Sequence, residues 1–270
     1  MNSKKHAMIL KQTINNRRGF TLVELMITVM LTGIAVIGIY KGYTSFSQTA
    51  DAQEQMIEMQ QILRIGMLRI EKDLKQAGAK EEDDTTTIAF TEDGVGCNAN
   101  TIAMTSDIFG GATDGVDNDH DEAIDAADTD PPPFNEVFYG DGDTDDNGEI
   151  IEYSLDANGN LIRNDANAGT SASIISNVDA LDFRYLDEDR LLLVPGAGGL
   201  TPAQLPDVRI VQACLLVHTT NEDYRYTDRT SYVNLQDQEI FNAVTDAAGD
   251  AKHLRRRVFC QEINIRNAGL

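Results

Sequence analysis

The strongest pattern in the chain is an apolar block that its surroundings do not share. From Phe20 to Tyr40, 21 residues, Glu24 is the only charged side chain, and Lys41 closes the run. As a helix this span is ~31 Å long, about the hydrocarbon thickness of a bilayer. Past Lys41 the apolar residues thin out but keep a helical spacing. Met56, Met59, Leu63, Gly66, Ile70 and Leu74 recur every three or four positions among Gln, Glu and Lys. No proline interrupts the stretch, and Gly78 offers a stop. The spacing predicts one helix of about 58 residues ending near Ala77, with its first half in lipid and its second half packed on a domain. Gly33, Gly38 and Gly42 weaken the junction, each by ~1 kcal/mol relative to alanine.

From residue 80 onward the period shortens to that of strands. Thr86–Phe90 and Thr101–Met104 read as short strands, and Ile150–Leu155 and Asn160–Arg163 as a hairpin around Asn158-Gly159. Val178–Tyr185 alternates apolar and polar residues, and Val208–His218 is the strongest strand candidate. A last strand is predicted over Arg256–Ile265, with Val258, Cys260 and Glu262 on one face and Phe259, Ile263 and Ile265 among its apolar positions. A long helix over 20–79 on an antiparallel sheet of four or more strands within 80–270 is an α+β arrangement.

Charge changes the picture in two places. Residues 1–19 hold Lys4, Lys5, Lys11, Arg17 and Arg18 and no acid, which predicts a cytoplasmic N-terminus with everything after Tyr40 outside. Losing those five cations takes the net charge from −22 to −27. A chain so acidic would be repelled by phosphates, which argues against nucleic acid as a partner. Residues 81–157 carry 23 of the acids and no Lys or Arg, with the densest part at about 107–147. Three cysteines, Cys97, Cys214 and Cys260, all fall in the exported part. One disulfide is expected there, and Cys214 with Cys260 is the favoured pair because each sits in a strand-like run. No nucleophile motif, phosphate loop or Cys/His zinc spacing occurs, so the chain does not read as an enzyme.

The run Gly19-Phe20-Thr21-Leu22-Val23-Glu24, with basic residues before it and an apolar helix after it, closely resembles the type IV prepilin signal. A secretory signal is cut after its apolar region at a small-x-small site, and none follows Tyr40 closely. The resemblance implies that a membrane-embedded prepilin peptidase cuts between Gly19 and Phe20, removes the 1–19 leader and methylates the new amine. It also implies that Glu24 then pairs with the terminal amine of a neighbouring subunit, setting register in a filament. Leu68–Gly78, the hairpin around Gly159, the strands at 178–185 and 207–217 and the Arg255–Asn267 ending look like those of PilW-type minor pilins. This resemblance implies a pilin fold and a subunit that primes assembly at or near the pilus tip. Its implied partners are minor and major pilins, the inner-membrane assembly platform and a tip adhesin, with the chain passing from the inner membrane to the cell surface. The J-type pseudopilins of type II secretion share the N-terminal chemistry and are the rival reading, and a calcium-dependent adhesion module on a pilin stem is another.

Two acidic stretches have the spacing of calcium ligands. Asp117, Asp119, Asp121, Asp125 and Asp128 resemble the Asp-rich loops of thrombospondin type 3 repeats. Asp141, Asp143, Asp145, Asn147 and Glu152 follow an EF-hand in part: counted from Asp141, Glu152 stands twelfth, but Gly148 is sixth only if the count starts at Asp143. Glu122 stands where the first loop would want glycine. Both stretches are imperfect Ca²⁺ sites.

Overall fold

The computed structural model describes residues 19–79, 90, 97–107, 147–196 and 199–267. Contacts divide the chain into two units, residues 1–53 and 54–270, and one helix contributes to both. That helix, α1, runs from Leu22 to Gln76 without a break, 55 residues against the expected 58 or so. It begins two residues later than the apolar run because Thr21 caps it, and it ends one residue before Ala77.

In the first unit no described residue is buried, and the apolar side chains of α1 from Leu22 to Phe46 all point outward. α1 is long and apolar enough there to cross a membrane. Its threonine hydroxyls are bonded on the helix itself: Thr28 donates to the Glu24 carbonyl at 2.8 Å, and Thr32 to the Thr28 carbonyl at 2.7 Å. Hydroxyls bonded in this way need no water, which suits a helix in lipid.

In the second unit α1 buries Met59, Leu63, Gly66, Met67, Ile70, Asp73 and Leu74 along one stripe. Gly66 sits where a Cβ would come within 2.7 Å of Ile175 Cδ1 and 3.0 Å of Leu215 Cδ2, so the helix approaches its neighbours closely at that turn. Gly78 takes a φ of 71°, open to glycine at little cost, and its N–H donates to the Thr105 carbonyl at 2.8 Å. The helix therefore stops where the sequence offers glycine.

The strands are β1 (Ile102–Thr105), β2 (Ile150–Leu155), β3 (Leu161–Asp165), β4 (Thr170–Ile175), β5 (Val178–Leu186), β6 (Leu192–Leu193), β7 (Ile210–His218), β8 (Ser231–Val233), β9 (Glu239–Asn242) and β10 (Arg256–Asn264). The α+β class holds, but the strands form two four-stranded antiparallel sheets, β1-β2-β3-β4 and β10-β7-β5-β6, plus the ribbon β8-β9. The division falls at Asn177, whose φ of 63° turns the chain between β4 and β5. Apolar side chains of both sheets close on the stripe of α1 in one core, including Tyr153, Leu161, Phe183, Val211 and Leu215.

β7 lies between β10 and β5 and is buried on both faces, which explains its unbroken apolar run. Its second face carries Leu216, which joins Ala180, Tyr232 and Ala243 beneath the β8-β9 ribbon. β5 is covered on both faces too, so its burial does not follow the alternation of its sequence. Of the strand expected at Thr86–Phe90, only Phe90 is among the described residues, and it bridges Met104.

Candidate functional site

The first turn of α1 sets the geometry of the Gly19-Phe20 bond. Thr21 lies just outside the helix, and its carbonyl accepts the first intrahelical bond, from the Leu25 N–H at 3.1 Å. Its side chain Oγ1 accepts the Glu24 N–H at 3.2 Å. This is an N-cap, and Thr21-x-x-Glu24 has the order of a capping box, in which the Glu favours the helix start in its turn. The sequence carried this signal, and reading Glu24 only as a membrane acid passed over it. The cap leaves Gly19 and Phe20 out of the helix, with Phe20 78% exposed.

Nothing within 4 Å would meet a Cβ on Gly19, and its φ lies outside the left-handed region. The described part of this chain therefore gives no reason for glycine at 19; a demand for glycine would come from outside it. Glu24 stands in the same position. Its place in the first turn suits the partial positive charge of the helix N-terminus, which favours a carboxylate by about 0.3–1 kcal/mol. No cation among the described residues pairs with it, and its side chain is exposed. An unpaired carboxylate costs a few kcal/mol at the centre of a membrane helix and less toward its end, where Glu24 lies. Among the described residues nothing supplies the opposite charge that would offset this cost.

Residues 14–40 match the family model of the prokaryotic N-terminal methylation motif. The chain carries that motif. It spans Gly19, Phe20, Thr21 and Glu24 and leaves the rest of the chain unmatched. Among solved structures the chain is similar to a type IV-like pilin from Thermus thermophilus, at 11% identity and a TM-score of 0.41, over 79% of this chain and all of that one. So loose a likeness bears on neither function nor partners. No curated protein sequence matches the chain.

The second unit holds its charged groups in a different way. Asp73, on the buried stripe of α1, accepts the Tyr153 hydroxyl and the Arg163 Nε on one oxygen, both at 2.7 Å, with Arg69 Nε at 3.5 Å. Burial, together with the adjacent Asp73 carboxylate, pushes the Tyr153 phenol well above its ordinary value, so it stays a donor. This cluster ties α1 to β2 and β3. A second cluster sits under the β8-β9 ribbon, where Arg256 reaches Asp179 at 2.7 Å and Asp228 at 3.3 Å. Burial raises the Asp228 pKa, but bonds from Thr230, Tyr232 and Arg256 outweigh it and hold the carboxyl below its usual range. Cys214 and Cys260 face each other across β7 and β10 and are joined in a disulfide, while Cys97 is a buried thiol whose Sγ donates to the Ala103 carbonyl.

Of the residues with calcium-ligand spacing, Asp117, Asp119, Asp121, Asp125, Asp128, Asp141, Asp143 and Asp145 lie outside the described residues. Asn147 is exposed in a turn, and Glu152 lies within β2, opposite Ala103 and Asn164. Among the described residues no group of three His, Cys, Asp or Glu is placed to hold a metal ion.

Proposed function

We propose that this chain is a minor pilin of a type IV pilus, made as a prepilin in the inner membrane and assembled at or near the filament tip. The observation that carries the reading is the first turn of α1. It presents the Gly19-Phe20 bond outside the helix and, in the first turn, a carboxylate with no partner among the described residues, within a matched methylation motif. A prepilin peptidase cuts that bond, and glycine before the cut lets an extended backbone enter a narrow active site. The new amine on Phe20 is then methylated, which keeps its charge. In the filament, Glu24 meets the amine of a neighbouring pilin in low dielectric, where a paired carboxylate is tolerated and an unpaired one is not. The pairing thus selects the register in which a subunit joins.

In this reading the chain acts by structure rather than by catalysis. Its partners are other minor pilins, the major pilin, the assembly platform and a tip adhesin. The intact mass of the protein recovered from membranes tests the processing step. It should correspond to a chain beginning at Phe20 and carrying one added methyl group; an intact leader, or a cut beyond Tyr40, refutes it. Pull-down of the mature protein should recover type IV pilins, and recovery of secretion pseudopilins instead would favour the rival assembly.

The acidic segment 107–147 fits a calcium-ordered insertion, since carboxylates at every second residue repel one another until a cation is bound. Titration of the full chain in detergent with CaCl₂ should release heat with millimolar affinity. A flat titration in low-salt buffer removes the idea.

A further inference from the structure

β10 is an edge strand, and its free side borders a groove along α1. Among the described residues it pairs only with β7, and the register shows which backbone groups remain. Thr219 N–H donates to the Arg255 carbonyl and Ile265 N–H to the Arg209 carbonyl, both at 2.9 Å. Bonded pairs alternate along an antiparallel ladder, so the odd-numbered residues of β10 bond β7. The N–H and C=O groups of Val258, Cys260 and Glu262 therefore face the open edge, and among the described residues none has a backbone partner. Long edges are normally blunted by charge, proline or a covering element, because they template pairing with another strand.

The groove between this edge and α1 has a volume of about 360 Å³. Leu63, Met67, Leu68 and Phe259 line it, with Leu68 56% and Phe259 44% exposed despite their apolar side chains. Arg64 and Arg257 stand on its two sides, one from the helix and one from the strand. In a chain of net charge −22 the other strand arginines are committed: Arg163, Arg184 and Arg256 each hold a carboxylate. Arg64 and Arg257 hold none among the described residues.

We propose that this groove receives an extended segment of a partner chain that adds to the free edge of β10 and carries both apolar and acidic side chains on the one face it turns to α1, at every second position. Its backbone bonds Val258, Cys260 and Glu262. Its apolar side chains fill the space between Leu68 and Phe259, and its carboxylates meet Arg64 and Arg257. Strand addition beside a helix draws affinity from main-chain bonds and specificity from the side-chain pocket. A second copy offering its own β10 would bring arginines to those two sites rather than carboxylates. The surface lies within residues 54–270 and does not depend on the reading of the N-terminus.

Random nonapeptides displayed on phage and selected on the full-length protein in detergent micelles test this. The expected result is enrichment of sequences in which apolar and acidic residues both fall at every second position, on one strand face. Peptides from that set should bind at least ten-fold more weakly to the double variant Arg64→Glu/Arg257→Glu, and lose binding when a central residue is replaced by proline. Because both arginines are exposed, the variant should keep its thermal transition, which is measured alongside. Enrichment without an acidic pattern, equal binding to the double variant, or tolerance of the central proline overturns the proposal. Salt-sensitive dimerisation of the protein itself through this edge also overturns it, in favour of a second copy.

Discussion

The two parts of α1 are one helix in two chemical situations. Before residue 54 nothing in the described chain covers it: the apolar side chains face outward, Gly19, Gly33, Gly38 and Gly42 have open space, and Glu24 has no cationic partner. After residue 54 the same helix buries a full stripe. Gly66 there is pressed against Ile175 and Leu215, and Asp73 is held by Tyr153 and Arg163. One part leaves its requirements unmet among the described residues, and the other meets them within the fold. Substitutions should separate the two: changes past residue 54 should move stability and spare processing, and changes at the first turn should do the reverse.

The largest effect on stability is expected at Asp73. Asp73→Ala leaves the Arg163 guanidinium half-buried without its carboxylate and the Tyr153 hydroxyl without an acceptor, a loss of about 3 kcal/mol by the usual cost of breaking a buried pair. Urea unfolding of the second unit in the full chain should show it. Cleavage after Gly19 should be unchanged, and a variant as stable as the parent would mean that the cluster does not fasten α1 to β2 and β3.

A smaller effect is expected at Thr21. Losing an N-cap costs a helix start about 1 kcal/mol, or roughly five-fold in an equilibrium. Upstream, Asn15 and Asn16 are residue types that could cap a longer helix, one that runs through the Gly19-Phe20 bond. Cleavage in membranes should then follow capping strength: Thr21→Asn, Thr21→Ser and Thr21→Gly near the parent rate, Thr21→Ala and Thr21→Val about five-fold slower. If Ser alone keeps the rate, the peptidase reads the hydroxyl itself and the cap is incidental.

What the sequence displayed follows the same division. The whole of α1 was visible because an unbroken apolar run leads, with no proline, into a stretch of helical period, and its end was visible at Gly78. β7 was visible because a strand buried on both faces must be apolar, β5 because its apolar and polar residues alternate, and β10 because apolar residues recur through it. β4, Thr-Ser-Ala-Ser-Ile-Ile, was missed because its first four residues are exposed and carry no alternation. β8 and β9 were missed because short strands with few buried side chains leave little pattern. The separation into two sheets depends on the left-handed turn at Asn177, one residue that no apolar period announces. Asp73 was hidden for another reason: an acid on an amphipathic helix reads as solvent-facing, although its place beside Leu74 and three after Ile70 lies on the buried stripe. At the N-terminus the motif residues were legible from their order, through the resemblance to the prepilin signal, while the cap formed by Thr21, though present as Thr21-x-x-Glu24, was passed over.

The central claim is that Glu24 finds its partner on another subunit. The direct measurement is the amount of Glu24→Ala protein that co-purifies with sheared pili, set against the amount processed in the membrane. The account predicts normal cleavage after Gly19 with incorporation lost. Normal cleavage with parent-level incorporation would contradict it.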